Sequence, residues 1–297
     1  MNCSWLIIIS AILLVIPSLE VCAMNEAFLN STVLVTFSAN PGNASAGTGF
    51  LMSKEIEKGK GHIFLVTNVH AIPPEGSTKN MSIRVMTKSG ETVVVKSLEV
   101  PVLGTDGKYL PTVKLHPKKG FDVTAINITE SVVKEHIEAA WIPYDLLATK
   151  DKLKAEGITV GDEIFLLGYP DAIYDPRNVH PILREGVIAS VPTEDYAFND
   201  ALKKRYSLPD QISGFLIDAN VFPGSSGSLV ILKQQATTIG SHGETIVSRA
   251  KKIPYVLGIV SGSIPIIDVA LGSVQRMGLG VVYSYSTIKE TIDLFYK

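Results

Sequence analysis

The sequence predicts an all-β protein built as barrels or as a sandwich. Short segments rich in Val, Ile, Phe and Thr recur at roughly ten-residue spacing. Gly, Pro, Asn and Asp separate them, as at Pro73-Pro74, Ser89-Gly90 and Asp106-Gly107. Hydrophobic residues make up 46% of the chain and charged residues 19%, which is enough apolar surface for a core and excludes whole-chain disorder. The 297 residues indicate two domains or one large β-type domain.

Segments with the composition of strands occur along most of the chain. They are Thr32–Phe37, His62–Thr67, Ser82–Thr87, Glu91–Val95, Val123–Ile128, Glu163–Gly168, Gly186–Val191, Gly214–Asp218, Ser228–Leu232, Tyr255–Val260 and Leu279–Val282. The stretch Ala139–Ile158 lacks alternation, and we expect it to connect two β units of comparable size.

Two stretches have helical patterns. Glu194–Arg205 is polar and is predicted to be a surface excursion. Thr287–Phe295 carries an apolar stripe on one face, so we expect a C-terminal helix that docks on the second β unit. Thr287 and Glu290 have the spacing of a capping box at its start.

The N-terminus has the features of a secretory signal peptide covering residues 1–23. The apolar run from Trp5 to Ile16 is shorter than the roughly 20 residues of a spanning helix. Small residues stand at the −3 and −1 positions of a cut after Ala23. The segment lacks Lys and Arg before the run, so an uncleaved anchor is the alternative. Both cysteines, Cys3 and Cys22, lie in this segment, and we expect a secreted or periplasmic mature chain without disulfides.

The charge of the chain is nearly balanced, with 27 Lys and Arg against 29 Asp and Glu. This argues against a nucleic-acid partner, which a basic surface would attract.

No later apolar run approaches membrane length, so no membrane contact is expected after signal removal. The sequons at Asn30, Asn43, Asn80 and Asn127 matter only in a eukaryotic secretory pathway. The oligomeric state is left open.

The motif Pro223–Ser228 (PGSSGS) precedes an apolar segment and has the features of a nucleophile turn. Gly224 can adopt backbone angles that other residues avoid, which lets its N–H and that of Ser226 point at one oxyanion. Ser226 is favoured over Ser225 and Ser228 because it alone has Gly at both −2 and +1. The alternative is a Gly/Ser turn between strands.

A serine nucleophile needs a base and an orienting carboxylate. His70 follows the apolar segment LVTNV, and Asp122 precedes the apolar segment VTAINI. Taken alone, each of these two residues is as readily explained by a structural role as by a catalytic one. Their occurrence together in the order His70, Asp122, Ser226 favours a catalytic triad.

Six motifs in this order resemble the chymotrypsin/trypsin-like serine proteases, closest to their bacterial, disulfide-poor branch. They are Gly47–Leu51 (GTGFL), Val66–Ala71 (VTNVHA), His116-Pro117 ahead of Asp122-Val123, Leu167–Pro170 (LGYP), Pro223–Ser228 and Leu257–Gly262 (LGIVSG). Thr124 replaces the usual alanine. The resemblance covers about residues 45–285.

The resemblance implies two perpendicular antiparallel β-barrels with the active site between them. Residues 24–138 would form the first barrel with His70 and Asp122, 139–158 a linker, and 159–297 the second barrel with Ser226 and a terminal helix. Ser226 would attack the carbonyl, His70 would transfer the proton, and Asp122 would hold His70. The N–H groups of Gly224 and Ser226 would bind the oxyanion.

The resemblance also implies a substrate site. Ser261, Gly262 and Ser263 would pair with the substrate main chain as an added strand. Asn220 falls at the pocket floor, where it offers no acidic charge and disfavours a preference for Arg or Lys. Gln234–Lys252 is predicted to be an extra hairpin near the pocket.

The predicted function is therefore a secreted serine endopeptidase whose partner is a protein or peptide substrate. No cofactor is expected, and no metal, because the other histidines lack ligand spacing. An inactive binding protein on the same scaffold, an unrelated β-rich adhesion domain and an esterase with the same triad are the alternatives.

Overall fold

The computed structural model describes residues 26–38, 44–77, 80–90, 92–206, 208–233, 237–239, 245–247, 253–268 and 273–297. The predicted signal peptide 1–23 and the sequon at Asn43 lie outside the described residues. In the part of the chain that is described, no helix combines the length and apolar character needed to cross a membrane.

The first half of the described chain forms a barrel-like sheet of eight strands. After helix α1 (Glu26–Ser31) come β1 (Thr32–Ser38), β2 (Ala44–Glu57), β3 (Lys60–Thr67), β4 (Asn80–Ser89), β5 (Thr92–Glu99), β6 (Val113–Leu115), β7 (Thr124–Asn127), helix α2 (Thr129–Lys134) and β8 (Ile142–Pro143). The strands lie in the order β5-β4-β1-β2-β3-β7-β6, and β8 pairs with β2 in parallel.

The second half forms a closed barrel of six strands. Its elements are α3 (Lys150–Ala155), β9 (Glu163–Gly168), β10 (Ile182–Ile188), β11 (Tyr196–Ala197), α4 (Asp200–Tyr206), β12 (Gln211–Ile212), β13 (Gly214–Asp218), β14 (Leu229–Leu232), β15 (Thr237–Ile239), β16 (Thr245–Val247), β17 (Val256–Asp268), β18 (Ser273–Ser284) and α5 (Tyr285–Asp293). The barrel order is β10-β13-β18-β17-β14-β9, while β11 pairs with β12 and β15 with β16. The prediction of an all-β double-barrel fold is confirmed.

Side chains of β2 and β3 point alternately into two different cores, and one of these cores is shared by the two halves. Phe50 and Phe64 are fully buried in a core that also contains Phe215 of the closed barrel. Their neighbours Leu51 and Leu65 point to the opposite face, into a core formed by the first sheet alone. Because successive side chains of a strand face opposite sides, one pair of strands contributes to both cores.

Several predicted strands have different bounds in the structure. β2 corresponds to none of the predicted strands, because its polar residues interrupt the apolar pattern. The strand predicted at Gly186–Val191 is β10, which begins at Ile182 and ends at Ile188. β17 and β18 continue well beyond the apolar segments that predicted them, because they pair with each other out to Asp268 and Ser273.

The predicted helix at Glu194–Arg205 is wrong in its first half. Tyr196–Ala197 is a strand that pairs with Gln211–Ile212. The helix begins only at Asp200, where the Asn199 side chain accepts a hydrogen bond from the N–H of Leu202 at 3.0 Å. A side-chain acceptor at this position satisfies one of the free donors of the first turn.

The C-terminal helix is confirmed as α5, but its predicted capping box is wrong. The helix starts at Tyr285 after the extended Ser284, and Thr287 Oγ1 donates to Ser284 O at 2.7 Å. Glu290 accepts instead from the buried His116 Nε2 at 3.0 Å. Since α5 contacts β6 and β7 as well as β17 and β18, it docks on both halves rather than on the second alone.

Candidate active site

His70 and Asp122 meet because their strands are neighbours. His70 lies in the short helical turn Val69–Ala71 directly after β3, and Asp122 lies just before β7, which pairs with β3. His70 Nδ1 donates to Asp122 Oδ2 at 2.7 Å, and the His70 main-chain N–H donates to Asp122 Oδ1 at 3.2 Å. A carboxylate accepts only, so the proton is on Nδ1 and Nε2 is free to accept one.

The carboxylate changes the basicity of the imidazole. The hydrogen bond that His70 donates to Asp122, together with the negative charge of that carboxylate, raises the pKa of His70 above its ordinary value of 6.5, although burial acts in the opposite direction. The His70 side chain is 54% exposed and that of Asp122 is 20% exposed, so the carboxylate is the more shielded of the two.

Asp122 has two further partners. Ser261 Oγ donates to Asp122 Oδ2 at 2.8 Å, and Asn68 Nδ2 donates to the Asp122 main-chain oxygen at 2.6 Å. Sequence reasoning assigned Ser261 only to substrate pairing and missed this contact. The signal was a hydroxyl residue at the end of the apolar segment LGIV.

Ser261 also contacts the predicted nucleophile. Ser226 Oγ donates to Ser261 O at 2.9 Å, and within the described residues no hydrogen bond joins Ser226 to His70. A Cβ on Gly47 would lie 3.3 Å from Ala71 Cβ and 3.7 Å from Ser226 O, so the turn that carries His70 and the turn that carries Ser226 both approach Gly47. The structure thus brings Asp122 and Ser226 together through Ser261, with His70 held on Asp122.

Two N–H groups of the turn Pro223–Ser228 have no acceptor in the part of the chain that the structure describes. Within the described residues, neither the N–H of Gly224 nor that of Ser226 donates a hydrogen bond. Gly224 has a φ of +80° and Gly227 a φ of +86°, which favour glycine at both positions. A backbone with two free, neighbouring N–H groups is suited to bind a negatively charged oxygen.

The predicted substrate residues are all at least partly exposed. Asn220 is exposed, two residues after β13, and Ser261, Gly262 and Ser263 are partly exposed in β17. A Cβ on Gly262 would meet no atom within 4 Å. Their roles in substrate binding stay predictions.

The predicted hairpin within Gln234–Lys252 contains the paired strands β15 and β16, and the rest of it lies outside the described residues. It follows the C-terminal end of β14, whereas Ser226 precedes the N-terminal end of that strand. Across the described ranges, no group of three or more His, Cys, Asp and Glu side chains is arranged to hold a metal ion.

The solved structures that are similar to this chain include the following three. A serine endoprotease from Yersinia pestis is 13% identical with a TM-score of 0.45, and the similarity covers 92% of this chain and 66% of that one. A thermostable serine protease, AL20, from an extremophilic microorganism is 13% identical with a TM-score of 0.42, covering 89% of this chain and 96% of that one. The HL collagenase is 12% identical with a TM-score of 0.45, covering 91% of this chain and 94% of that one.

No curated protein matches the chain. The family model of the trypsin-like peptidase domain matches residues 47–240, well over half of the chain, and this range includes His70, Asp122 and Ser226. The chain therefore belongs to the trypsin-like peptidase family and is a serine peptidase.

Proposed function

We propose that the protein is a secreted or periplasmic endopeptidase that hydrolyses peptide bonds through Ser226, His70 and Asp122. The observation that carries the proposal is the 2.7 Å hydrogen bond from His70 Nδ1 to Asp122 Oδ2. It leaves His70 Nε2 unprotonated, as a general base requires. The signal-peptide features of residues 1–23 support export, and the substrate is a protein or peptide.

In the first step Ser226 Oγ attacks the carbonyl carbon of the scissile bond. Its hydroxyl must first turn from Ser261 O towards His70 Nε2, a rotation about χ1 between staggered positions. Catalytic hydrogen bonds are often unformed before substrate binds, so the observed Ser226–Ser261 bond is compatible with this role. His70 takes the proton as the new bond forms, and Asp122 stabilises the resulting imidazolium.

The tetrahedral intermediate places a negative charge on the former carbonyl oxygen. The N–H groups of Gly224 and Ser226 are proposed to bind it, and loss of one such donor typically costs about 10²–10³ in turnover. His70 then returns the proton to the leaving amine, which breaks the peptide bond and leaves an acyl group on Ser226. Water, activated by His70 in the same way, releases the acid product and restores the serine.

A non-catalytic binding protein on the same scaffold is the second candidate. The observation that favours it is the Ser226 hydroxyl, which is bonded to Ser261 O at 2.9 Å instead of to His70. An enzyme and a binding protein differ in whether Ser226 reacts with an electrophile that needs an activated serine.

The experiment treats purified mature protein with a fluorophosphonate probe and maps the adduct by mass spectrometry. We expect labelling on Ser226 alone, no labelling of a folded Ser226→Ala variant, and turnover of peptide substrates that the variant lacks. Adducts on another serine, or turnover by Ser226→Ala at the wild-type rate, would refute the nucleophile assignment. A folded wild type that neither reacts nor cleaves peptides favours the binding protein, and ester turnover without peptide turnover favours an esterase.

A further inference from the structure

We infer that Thr48 is a positioning residue that holds the oxyanion-binding turn in its active shape. The inference rests on the function proposed above. Thr48 belongs to β2 of the first sheet and is fully buried, yet its contacts reach across to the nucleophile turn of the second barrel.

The turn is held through its carbonyl groups. Four consecutive carbonyls each accept one hydrogen bond: Pro223 O from Asp171 N at 2.6 Å, Gly224 O from Thr48 Oγ1 at 2.9 Å, Ser225 O from Ser228 N at 3.0 Å and Ser226 O from Thr48 N at 2.9 Å. Thr48 therefore supplies two of the four donors, one from its side chain and one from its main chain.

Fixing the carbonyls fixes the N–H groups. No described peptide bond is cis, and in a trans peptide the C=O and the N–H point in opposite directions. Donors on Pro223 O and Ser225 O therefore set the directions of the Gly224 and Ser226 N–H groups. Gly224 is the residue of this turn that most needs an external restraint, because glycine rotates about φ and ψ with little steric resistance. The Thr48 hydroxyl restrains Gly224 directly by holding its carbonyl.

The same hydroxyl joins a second loop to the turn. Thr48 Oγ1 accepts the Tyr169 N–H at 2.9 Å, so the hydroxyl acts both as donor and as acceptor. The loop after Tyr169 supplies the Asp171 N–H that holds Pro223 O. Asp171 and Ala172 have φ angles of +53° and +55°, a left-handed backbone that non-glycine residues keep only where neighbouring contacts enforce it.

Thr48 is itself held from the other side. Thr67 Oγ1 donates to Thr48 O at 2.6 Å, and Thr67 is the last residue of β3, three residues before His70. The hydrogen bonds of one buried residue thus connect the strand that ends at the proposed base with the turn that carries the proposed nucleophile.

The test compares two substitutions at one position. Thr48→Val keeps the shape of the side chain but removes the hydroxyl, and this leaves Gly224 O and the Tyr169 N–H without a partner. Thr48→Ser keeps the hydroxyl and removes only a methyl group. We expect Thr48→Val to lower kcat by roughly 10- to 100-fold, the scale of a misplaced catalytic group, with KM within about twofold. Thr48→Ser should stay within about threefold of the wild type.

Two readouts separate positioning from general destabilisation. The affinity for a peptide boronate, whose adduct with Ser226 places an oxygen between the two N–H groups, should fall in Thr48→Val by the same factor as kcat. Amide hydrogen exchange over residues 222–228 should accelerate in Thr48→Val and not in Thr48→Ser, and this readout needs no activity. It therefore tests the inference even where the Ser226 experiment contradicts the proposed function.

The inference is overturned if Thr48→Val keeps the wild-type kcat and boronate affinity, or if exchange over residues 222–228 does not change. A loss shared equally by Thr48→Ser would also overturn it, since that variant retains both hydrogen bonds. Should Thr48→Val fail to fold, Thr48→Cys serves in its place: its thiol is a weak donor and acceptor, so we expect kcat to fall below that of Thr48→Ser, and an equal kcat would overturn the inference.

Discussion

The protonation and basicity of His70 depend on one neighbouring residue, Asp122. Its position after an apolar strand is equally typical of a structural or surface histidine, but the 2.7 Å contact with Asp122 assigns the proton to Nδ1 and raises the pKa of the ring. A general base acts in its neutral form. We therefore expect kcat/KM to increase with pH through the pKa of His70, with a midpoint above the ordinary value of about 6.5.

Asp122→Asn tests this dependence. The substitution removes both the hydrogen-bonding carboxylate and its charge, while the burial that lowers the pKa of His70 remains. We expect turnover to fall by up to about 10⁴ and the midpoint of the kcat/KM profile to shift to lower pH. Glu57→Gln is the control, because Glu57 is an exposed acid in a pair with Lys60 at the surface. An unchanged midpoint in Asp122→Asn would remove Asp122 from this role.

At the scale of elements, two turns show the same backbone angle for different reasons. Gly227 has a φ of +86° in the nucleophile turn, where a Cβ would overlap the main-chain oxygen of Thr48. Gly59 has a φ of +76° in the connection between β2 and β3, where a Cβ would meet no atom within 4 Å. Gly227 is needed both for its positive φ and because there is no space for a Cβ, whereas Gly59 is needed for its positive φ alone.

Substitution by alanine separates these two requirements. Gly59→Ala adds only left-handed strain, and we expect a loss of about 1–2 kcal/mol in the free energy of unfolding. Gly227→Ala adds the same strain and also pushes β2 away from the turn, so we expect a loss of roughly 3 kcal/mol or more together with loss of activity. Denaturant unfolding of both variants measures the difference, and equal losses would contradict the close approach of the two backbones.

At the scale of the whole molecule, the two halves share one core. Phe50 and Phe64 of the first sheet belong to the same buried core as Phe215 of the closed barrel, and α5 lies against both halves. At the end of α5, Asp293 binds Lys54 of β2 at 2.6 Å. Separating the halves would expose fully buried aromatic side chains, so we expect them to unfold together.

Trp141 offers a probe for this expectation. It is the one tryptophan after residue 23 and packs on the core of the first sheet alone, whereas far-ultraviolet circular dichroism reports strands in both halves. We expect coincident denaturant midpoints for Trp141 fluorescence and circular dichroism, as two-state unfolding requires. Two separated transitions would show that the halves fold independently. A Phe64→Ala variant should shift both probes together, while Val93→Ala, at an exposed position of β5, should shift neither.

The local sequence determined a large part of this fold. Glu163–Gly168 and Gly214–Asp218 were predicted to the residue, because apolar β-formers bounded by Gly, Asp and Pro specify a strand without help from the rest of the chain. The motif around Ser226 was recognisable for a similar reason. Glycines on both sides of a serine, within six consecutive residues, indicate a turn whose backbone angles favour glycine.

The contacts that join these strands and turns to one another were decided only by the tertiary structure. β2 is polar in part and becomes a strand because β1 and β3 pair with it on both sides. Ser261 lies 139 residues from the Asp122 carboxylate that it bonds, and Thr48 lies 176 residues from the Gly224 carbonyl that it holds. The residues around each hydroxyl do not identify the partner that it bonds. Their partners are set by which strands pack together, and a hydrogen bond between distant segments leaves no periodicity or turn signal in the sequence around it.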